Sequence, residues 1–436
     1  GVPIDTPPGT VWGKICRKAE VGSYQAGASR RPPRPGTKMT NPAIRYGLPT
    51  LIALALGWGF LTLDAQGPQG RSLALSLLLG AAFGAVLQRS RFCFYCNFRD
   101  LIEKREAGGV IAIFVALAVG AIGYTTIFGA WLPSPALDRL PPTAHIGPVS
   151  ITLVIAAFAF GIGMAISGSC LSAHFYRLAE GSVISPFAII GALVGFGIGF
   201  LTWNPLFLAM TSNAFIFWLP HHLGYAGGLS ATLLAVAALA ALAIWWSRPR
   251  AGEAPAPLTL REAMGLLFLR RWPPVVAGTL VGIIATLAYF RVAPLGVTAE
   301  LGSIARTAGT NWAILPSSLF GLDGLRGCAT VVKEALLSNN GLFVIGLIAA
   351  SWITSLLAGQ FKPRRLTGTD VARGLVGGLL LGWGAMTALG CTVGVLLSGI
   401  HAGSLSGWVF LAAMSLGILI SLWAASLFKR TVRLAS

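Results

Sequence analysis

Two cysteines end apolar stretches that share one spacing of glycines. Each cysteine follows two glycines, nine and seven residues earlier: Gly161 and Gly163 before Cys170, and Gly382 and Gly384 before Cys391. Glycine lets two backbones approach closely, and it interrupts a helix within a membrane at little cost. The spacing therefore predicts either close helix packing or helix breaks that present thiols to an internal path.

Four of the six cysteines lie in or at the ends of apolar stretches: Cys93, Cys170, Cys328 and Cys391. We predict that Cys170 and Cys391 face each other across a path through a membrane, with Cys93 and Cys328 as a second pair. A single buried cysteine is more often a small packing residue, so the prediction depends on the repeated setting. Six dispersed cysteines do not indicate a disulfide framework.

The composition is that of a protein that crosses a membrane many times. Of the 436 residues, 55% are hydrophobic and 11% charged, and the mean hydropathy is +0.75. Soluble domains carry about 25% charged residues. The net charge of +18 would suit nucleic-acid binding, but the basic residues cluster between apolar stretches. That clustering is typical of membrane loops that face the cytoplasm.

Hydropathy predicts an all-α membrane bundle of eight to ten spans. With the basic segments in the cytoplasm, the span before Cys170 runs inward and the span before Cys391 runs outward. Opposite senses indicate two inverted-topology repeats, with re-entrant or broken helices around a central path. The predicted parts are a disordered or non-native extension over 1–38, a first repeat over 39–247, a cytoplasmic linker over 248–272 and a second repeat over 273–436. The predicted spans are 47–64, 72–88, 109–132, 149–168, 183–203, 228–247, 273–291, 341–359, 371–390 and 405–427, with interfacial or re-entrant pieces at 205–222 and 309–332.

The ionisable residues near the cysteines are Arg91, Arg99, Arg177, Glu180, Arg326, Lys333 and Glu334. Charge at membrane depth is costly, so it lines a polar path or is held in a salt bridge. Arg177 and Glu180 could line a polar path or pair in a salt bridge, and the same holds for Lys333 and Glu334. Helix N-termini at the breaks, together with the basic residues, favour an anion. His174 is more typical of a hydrogen-bonded wall residue than of a proton carrier.

Cys93 and Cys96 form a CxxC motif, which can indicate redox chemistry or a pair of metal ligands. One cysteine pair cannot complete a tetrahedral site, so we expect no metal. The sequence has no Walker A, HExxH, Gly-x-Ser-x-Gly or dinucleotide-binding motif. We therefore expect no cofactor and no enzyme activity, with a redox role for the CxxC pair left open.

Four motifs occur in order: Arg89-Ser-Arg-Phe-Cys93-Phe with Phe98-Arg99-Asp100; Gly168-Ser-Cys170-Leu with Tyr176-Arg177 and Glu180-Gly181; Gly327-Cys328-Ala with Lys333-Glu334-Ala-Leu-Leu-Ser-Asn-Asn-Gly341; and Gly390-Cys391-Thr-Val-Gly394. From about residue 43 onward, the chain with these motifs resembles the YeeE/YedE family of bacterial membrane proteins, which includes thiosulfate transporters. The resemblance implies an hourglass-shaped bundle of two inverted halves. Cys96 matches no motif residue of the family. The candidate pathway residues are Cys93, Cys170, Cys328 and Cys391, with Arg99, His174, Arg177, Arg326 and Lys333 as supporting residues.

The resemblance implies uptake of thiosulfate, or of a closely related sulfur anion, across a bacterial inner membrane. It also implies a cytosolic partner, a TusA-like sulfur carrier or a rhodanese-like enzyme. A neutral thiol is a weak donor and a polarizable neighbour for the terminal sulfur of thiosulfate. Two alternatives remain: a selenium or other sulfur species as the cargo, and a membrane sulfurtransferase or thiol redox protein that uses Cys93 and Cys96.

Overall fold

Within the described residues, the regular structure is helical apart from two isolated β-bridges. The computed structural model describes residues 43–136, 139–247, 271–316, 318–322, 332–333 and 337–434. The expectations for the segment 1–38 and for Arg326, Cys328 and Glu334 lie outside these residues. After a π-helical turn, Ala43–Gly47, the helices are α1 Leu48–Asp64, α2 Pro68–Ser90, α3 Phe94–Lys104, α4 Gly108–Trp131, α5 Ile151–Ser167, α6 Leu171–Leu178, α7 Ser185–Leu206, α8 Leu219–Trp246, α9 Pro274–Arg291, α10 Val297–Asn311, α11 Asn339–Leu357, α12 Gly368–Thr387, α13 Thr392–His401 and α14 Leu405–Leu434.

Nine helices of the described chain are long and apolar enough to cross a membrane, and the bent pair α12 and α13 raises the number to ten. The prediction of an all-α bundle with eight to ten spans is confirmed. Helices suit this setting because they satisfy their backbone polar groups without water. Hydroxyl side chains cap three helix N-termini: Ser150 caps α5, Ser338 caps α11 and Thr367 caps α12.

The two halves of the chain interlock. The most extensive helix contacts join α7 with α12, α2 with α11, α4 with α9, and α5 with both α12 and α14. Each of these pairs combines a helix before residue 248 with a helix after residue 270. Neither half therefore buries its apolar faces alone. The division into two inverted repeats stays a prediction.

The motif glycines lie at helix crossings inside the bundle. A Cβ placed on Gly163 would lie 2.8 Å from the carbonyl oxygen of Gly377, and one on Gly384 would lie 2.7 Å from that of Ala156. These contacts make α5 and α12 antiparallel, as predicted for the spans before the two cysteines. The glycines thus serve close helix packing, and the helix breaks lie several residues further along the chain.

Two basic segments that the structure describes, 89–105 and 362–365, lie at one end of the bundle, where Gln88 Nε2 donates to Gln360 Oε1 at 2.6 Å; we call this the inner end. There the Arg105 guanidinium lies 5.0 Å from the ring centre of Trp246, and Arg45 Nη2 donates to the carbonyl oxygen of Leu357 at 3.4 Å. Loops rich in arginine and lysine face the cytoplasm in membrane proteins, so we expect the inner end to face the cytoplasm. The opposite end is the outer end.

Candidate functional site

Each described pathway cysteine occupies the same position in a broken helix. A left-handed residue lies at the break between two helices, and the cysteine two residues later is the N-cap of the second helix: Arg91 with φ 52° before Cys93, Gly168 with φ 84° before Cys170, and Leu389 with φ 62° before Cys391. Non-glycine residues in this region cost on the order of 1–3 kcal/mol each, and such strain clusters at functional sites. The shared break supports a common role for the three thiols.

Three cysteines gather at the inner end. Cys93 and Cys170 have no exposed surface, and their thiols lie close enough to influence each other electrostatically. The Cys93 thiol is also a neighbour of the Cys96 thiol and lies 3.9 Å from Ser169 Oγ. The predicted pairing of Cys170 with Cys391 across a path is therefore wrong, because Cys170 adjoins Cys93 instead.

Two helix N-termini converge on the Cys170 sulfur. The backbone N–H groups of Phe94, at the start of α3, and Ala173, in the first turn of α6, lie close enough to act on that sulfur electrostatically. Ser172 Oγ lies 3.4 Å from it. Helix N-termini carry partial positive charge and attract anions. The inner thiols therefore lie in surroundings that favour a negatively charged guest.

Arg177 adds a full positive charge beside these thiols. Its Nη2 donates to Cys96 Sγ at 3.1 Å, and its Nη1 donates to the carbonyl oxygen of Gly168 at 3.3 Å. The alternative of a salt bridge with Glu180 is wrong, because that carboxylate instead accepts a hydrogen bond from Gln88 Nε2 at 3.2 Å. Arg177, a predicted supporting residue, thus contacts Cys96, a residue for which the sequence predicted no role in the path.

Cys391 lies at the outer end of the α5–α12 pair. Cys391 follows the C-terminal end of α12, and this end packs near the start of α5. Cys170 follows the other end of α5, its C-terminus. The 17 residues of α5 rise about 25 Å, so the two sulfurs mark opposite ends of this pair. The Cys391 sulfur accepts from the backbone N–H of Val393 at 3.4 Å, and the residue is fully buried.

A small cavity with a mixed polar and apolar lining adjoins the outer break. His145, Ser150, Thr387 and Ser406 contribute polar side chains to its lining, beside Leu389. Burial lowers the pKa of His145 from 6.5 to about 4, so the imidazole is neutral at physiological pH. Neutral donors face the outer cavity, whereas cationic donors lie at the inner end.

The other supporting residues have different surroundings. Arg99 is held by Asp100 at 2.9 Å and has Glu103 at 3.9 Å. The His174 ring lies against Ser185 Oγ at 3.2 Å through Nδ1 and is fully buried, which agrees with a wall residue.

Lys333 forms an ion pair with Glu300, a residue that is absent from the predicted site. Ser338 Oγ donates to the second oxygen of that carboxylate at 2.7 Å. The signal in the sequence was the carboxylate itself, because Glu300 is the one acidic residue between positions 263 and 322.

Arg373 was also missed. Its Nε donates to the carbonyl oxygen of Ile166 at 3.0 Å, beside the carbonyl group that Arg177 contacts. Its position at the border of the charge-free stretch from Gly374 to Phe428 could have drawn attention to it.

Comparison with known proteins identifies the family. Residues 89–420 match the family described as sulphur transport, a range that includes all the cysteine motifs. The chain belongs to this sulphur transport family. It is 27% identical over 392 residues to the thiosulfate transporter TsuA of Escherichia coli, which covers 84% of this chain and 98% of that protein.

The chain is also similar in sequence to other bacterial transporters. The thiosulfate transporter TsuA of Spirochaeta thermophila is 28% identical over 387 residues, covering 81% of this chain and 98% of that protein. The probable transporter YedE of Salmonella typhimurium is 30% identical over 215 residues, or 49% of this chain and 50% of that protein. With nine to ten candidate spans among the residues that the structure describes, this sulphur transport protein is a multi-pass protein of the bacterial inner membrane.

Proposed function

We propose that the protein takes up thiosulfate through a path along which neutral thiols act as successive weak binding groups. The observation that carries the proposal is the cluster of Cys93, Cys96 and Cys170 at two helix N-termini, in a member of the sulphur transport family. The relatives that cover most of the chain are thiosulfate transporters. Cys391 at the outer break and Cys328 complete the proposed path.

Thiols suit this cargo because thiosulfate presents both oxygens and a terminal sulfur. A neutral S–H group is a weak donor with a polarizable sulfur, so it binds the terminal sulfur without the strong hold of a cation. Thiolates would repel the dianion, and apolar surroundings keep thiols protonated. Weak repeated sites also suit conduction, because the ion must leave each site as readily as it enters.

The membrane potential opposes the uptake of a dianion. An inside-negative potential costs about 2.3 kcal/mol per charge per 100 mV, hence roughly 4.6 kcal/mol for two charges. That energy corresponds to a concentration ratio of more than about 10³. Uptake therefore needs rapid removal of the cargo inside or coupling to another ion. A TusA-like sulfur carrier or a rhodanese-like enzyme is the cytosolic partner that we propose.

Growth of a sulfur-auxotrophic strain on thiosulfate as the sole sulfur source tests the proposal. The protein should restore growth, and Cys170→Ser and Cys391→Ser should reduce uptake of labelled thiosulfate at unchanged protein level. Cys328→Ser is the third variant of the set. Wild-type uptake by all three variants would refute the thiol path. Competition by selenite, sulfite and sulfate distinguishes thiosulfate from a selenium or other sulfur cargo.

One observation favours a second candidate function, a membrane sulfurtransferase. The Cys96 thiol adjoins both Cys93 and the Arg177 guanidinium, and a cationic neighbour is typical of reactive cysteines. In this reaction a Cys96 thiolate would attack the outer sulfur of thiosulfate, the S–S bond would break, and sulfite would leave. Intact mass after exposure to thiosulfate would then show one added sulfur atom, which Cys96→Ser would abolish. A transporter predicts an unchanged mass and a functional Cys96→Ser variant.

A further inference from the structure

Two guanidinium groups flank the C-terminal end of α5 at the inner end. Arg177 donates to the carbonyl oxygen of Gly168 at 3.3 Å, and Arg373 donates to that of Ile166 at 3.0 Å. Arg373 Nη2 lies 4.0 Å from the position of a Cβ on Gly168. Arginines from α6 and α12, far apart in the sequence, therefore meet at one turn of backbone beside the inner thiols.

Neighbouring carboxylates are already engaged elsewhere. Among the described residues, no carboxylate oxygen lies within 4.0 Å of either guanidinium group. Asp370, three residues before Arg373, accepts from Arg364 at 2.8 Å. Glu180, three residues after Arg177, accepts from Gln88 and attracts both Arg89 and Arg177 from beyond salt-bridge distance.

The remaining charge matches a dianion. The C-terminus of α5 contributes about half a negative charge, and the Glu180 carboxylate attracts Arg177 without forming a salt bridge, so the pair of arginines keeps a net positive charge. Both arginine side chains keep some exposed surface. We propose that Arg177 and Arg373 together form an inner dianion-binding site, which makes the transporter prefer divalent over monovalent sulfur anions. This inference rests on the proposed function and names the charge class of its cargo.

A purely structural explanation predicts something different. Arginines at a helix C-terminus can satisfy its last carbonyl groups and complement its dipole. In that case, loss of either arginine would lower stability without changing which anion binds. The discriminating quantity is therefore the ratio of affinities for a dianion and a monoanion of similar shape.

Methanethiosulfonate provides the comparison, because it keeps the terminal sulfur of thiosulfate but replaces one charged oxygen with a methyl group. We would measure thermal stabilisation of the purified full-length protein by each anion at constant ionic strength, for the wild type, Arg177→Gln, Arg373→Gln and Arg373→Lys. Arg365→Gln is the matched control, since Arg365 is exposed at the inner end. Uptake of labelled thiosulfate is measured in parallel.

We expect the wild type to bind thiosulfate more tightly than methanethiosulfonate. Each glutamine variant of the pair should lower this preference about tenfold, because a charge-assisted contact is lost. Arg373→Lys, which keeps the charge, and Arg365→Gln should retain it. An unchanged preference in both Arg177→Gln and Arg373→Gln, or a loss in Arg373→Lys equal to that in Arg373→Gln, would overturn the inference.

The two proposals fail in different ways. If the wild type shows the dianion preference but no uptake, the proposed transport of thiosulfate is wrong and the dianion site stands. If the wild type takes up thiosulfate but its glutamine variants keep the preference, the transport proposal stands and the site does not exist. If Arg373→Gln does not fold, the ratios of Arg177→Gln and Arg373→Lys decide the inference.

Discussion

Substitution of Gly384 by alanine tests whether the two glycine motifs hold the helices that carry the path. The new Cβ would lie 2.7 Å from the carbonyl oxygen of Ala156 and 3.0 Å from Phe160 Cβ, whereas ordinary contacts begin at 3.4 Å. Helices α5 and α12 must therefore separate by roughly 0.7 Å. Overpacking of this kind costs about 1–3 kcal/mol, and the better helix propensity of alanine offsets about 0.5–1 kcal/mol. We expect a net loss of about 0.5–2 kcal/mol.

The assay is thermal denaturation of the purified protein together with uptake of labelled thiosulfate. Gly197→Ala is the control, because Gly197 lies within α7 and nothing lies within 4 Å of its added Cβ. That control should be as stable as the wild type or slightly more stable. Gly384→Ala should be less stable and should take up less thiosulfate, since both ends of the α5–α12 pair lead directly to a pathway cysteine. Equal stability and uptake for the two alanine variants would refute the packing role.

Three further predictions concern separate parts of the bundle. Cys170→Ser and Cys391→Ser should each lower uptake of labelled thiosulfate by about tenfold with little change in thermal stability, and normal uptake by both would contradict the thiol path. His145 has a folded pKa of about 4 against 6.5 for the free group, so below pH 6.5 the unfolded chain binds a proton that the folded protein does not. Stability should thus fall by about 3 kcal/mol between pH 7 and pH 4, and His145→Asn should remove this part of the pH dependence of denaturation; an unchanged profile would contradict it. Glu300→Gln removes the carboxylate from the Lys333 ion pair and should cost about 1–3 kcal/mol after allowance for partial exposure, whereas the double variant with Lys333→Met should recover part of that loss. Additive losses in the double variant would contradict the coupling.

The sequence was sufficient to predict the helical spans because long apolar stretches have few structural solutions in a membrane. The charge-free stretches on either side of Cys391 became α12, α13 and most of α14. The basic segment around Arg99 became the short helix α3 at the inner end. Hydropathy and the distribution of charge thus identified the elements and the end of the bundle to which the basic segments belong.

The arrangement of the thiols was not predictable in the same way. Which cysteine adjoins which depends on how the two halves interlock, and hydropathy does not encode helix neighbours. Cys93 adjoins Cys170 because the N-termini of α3 and α6 meet, a contact between segments that are more than 70 residues apart. The left-handed backbone at each helix break was not predictable either. It occurs at Arg91 and Leu389 as well as at Gly168, and of these only glycine commonly adopts a positive φ.

The different chemistry of the two ends follows from the electrical work of uptake. The electrostatic free energy of a dianion rises as it moves inward against an inside-negative potential. The rise is about 4.6 kcal/mol at 100 mV for the whole crossing. Positive charge is therefore most useful at the inner end, where Arg177 and Arg373 lie, and least needed at the outer break, where His145 is neutral. Strong cations at the outer break would trap the ion before it entered, since conduction requires sites that release what they bind. Neutral thiols at both ends meet both requirements, because their sulfur contacts are too weak to hold a dianion that the inner arginines attract.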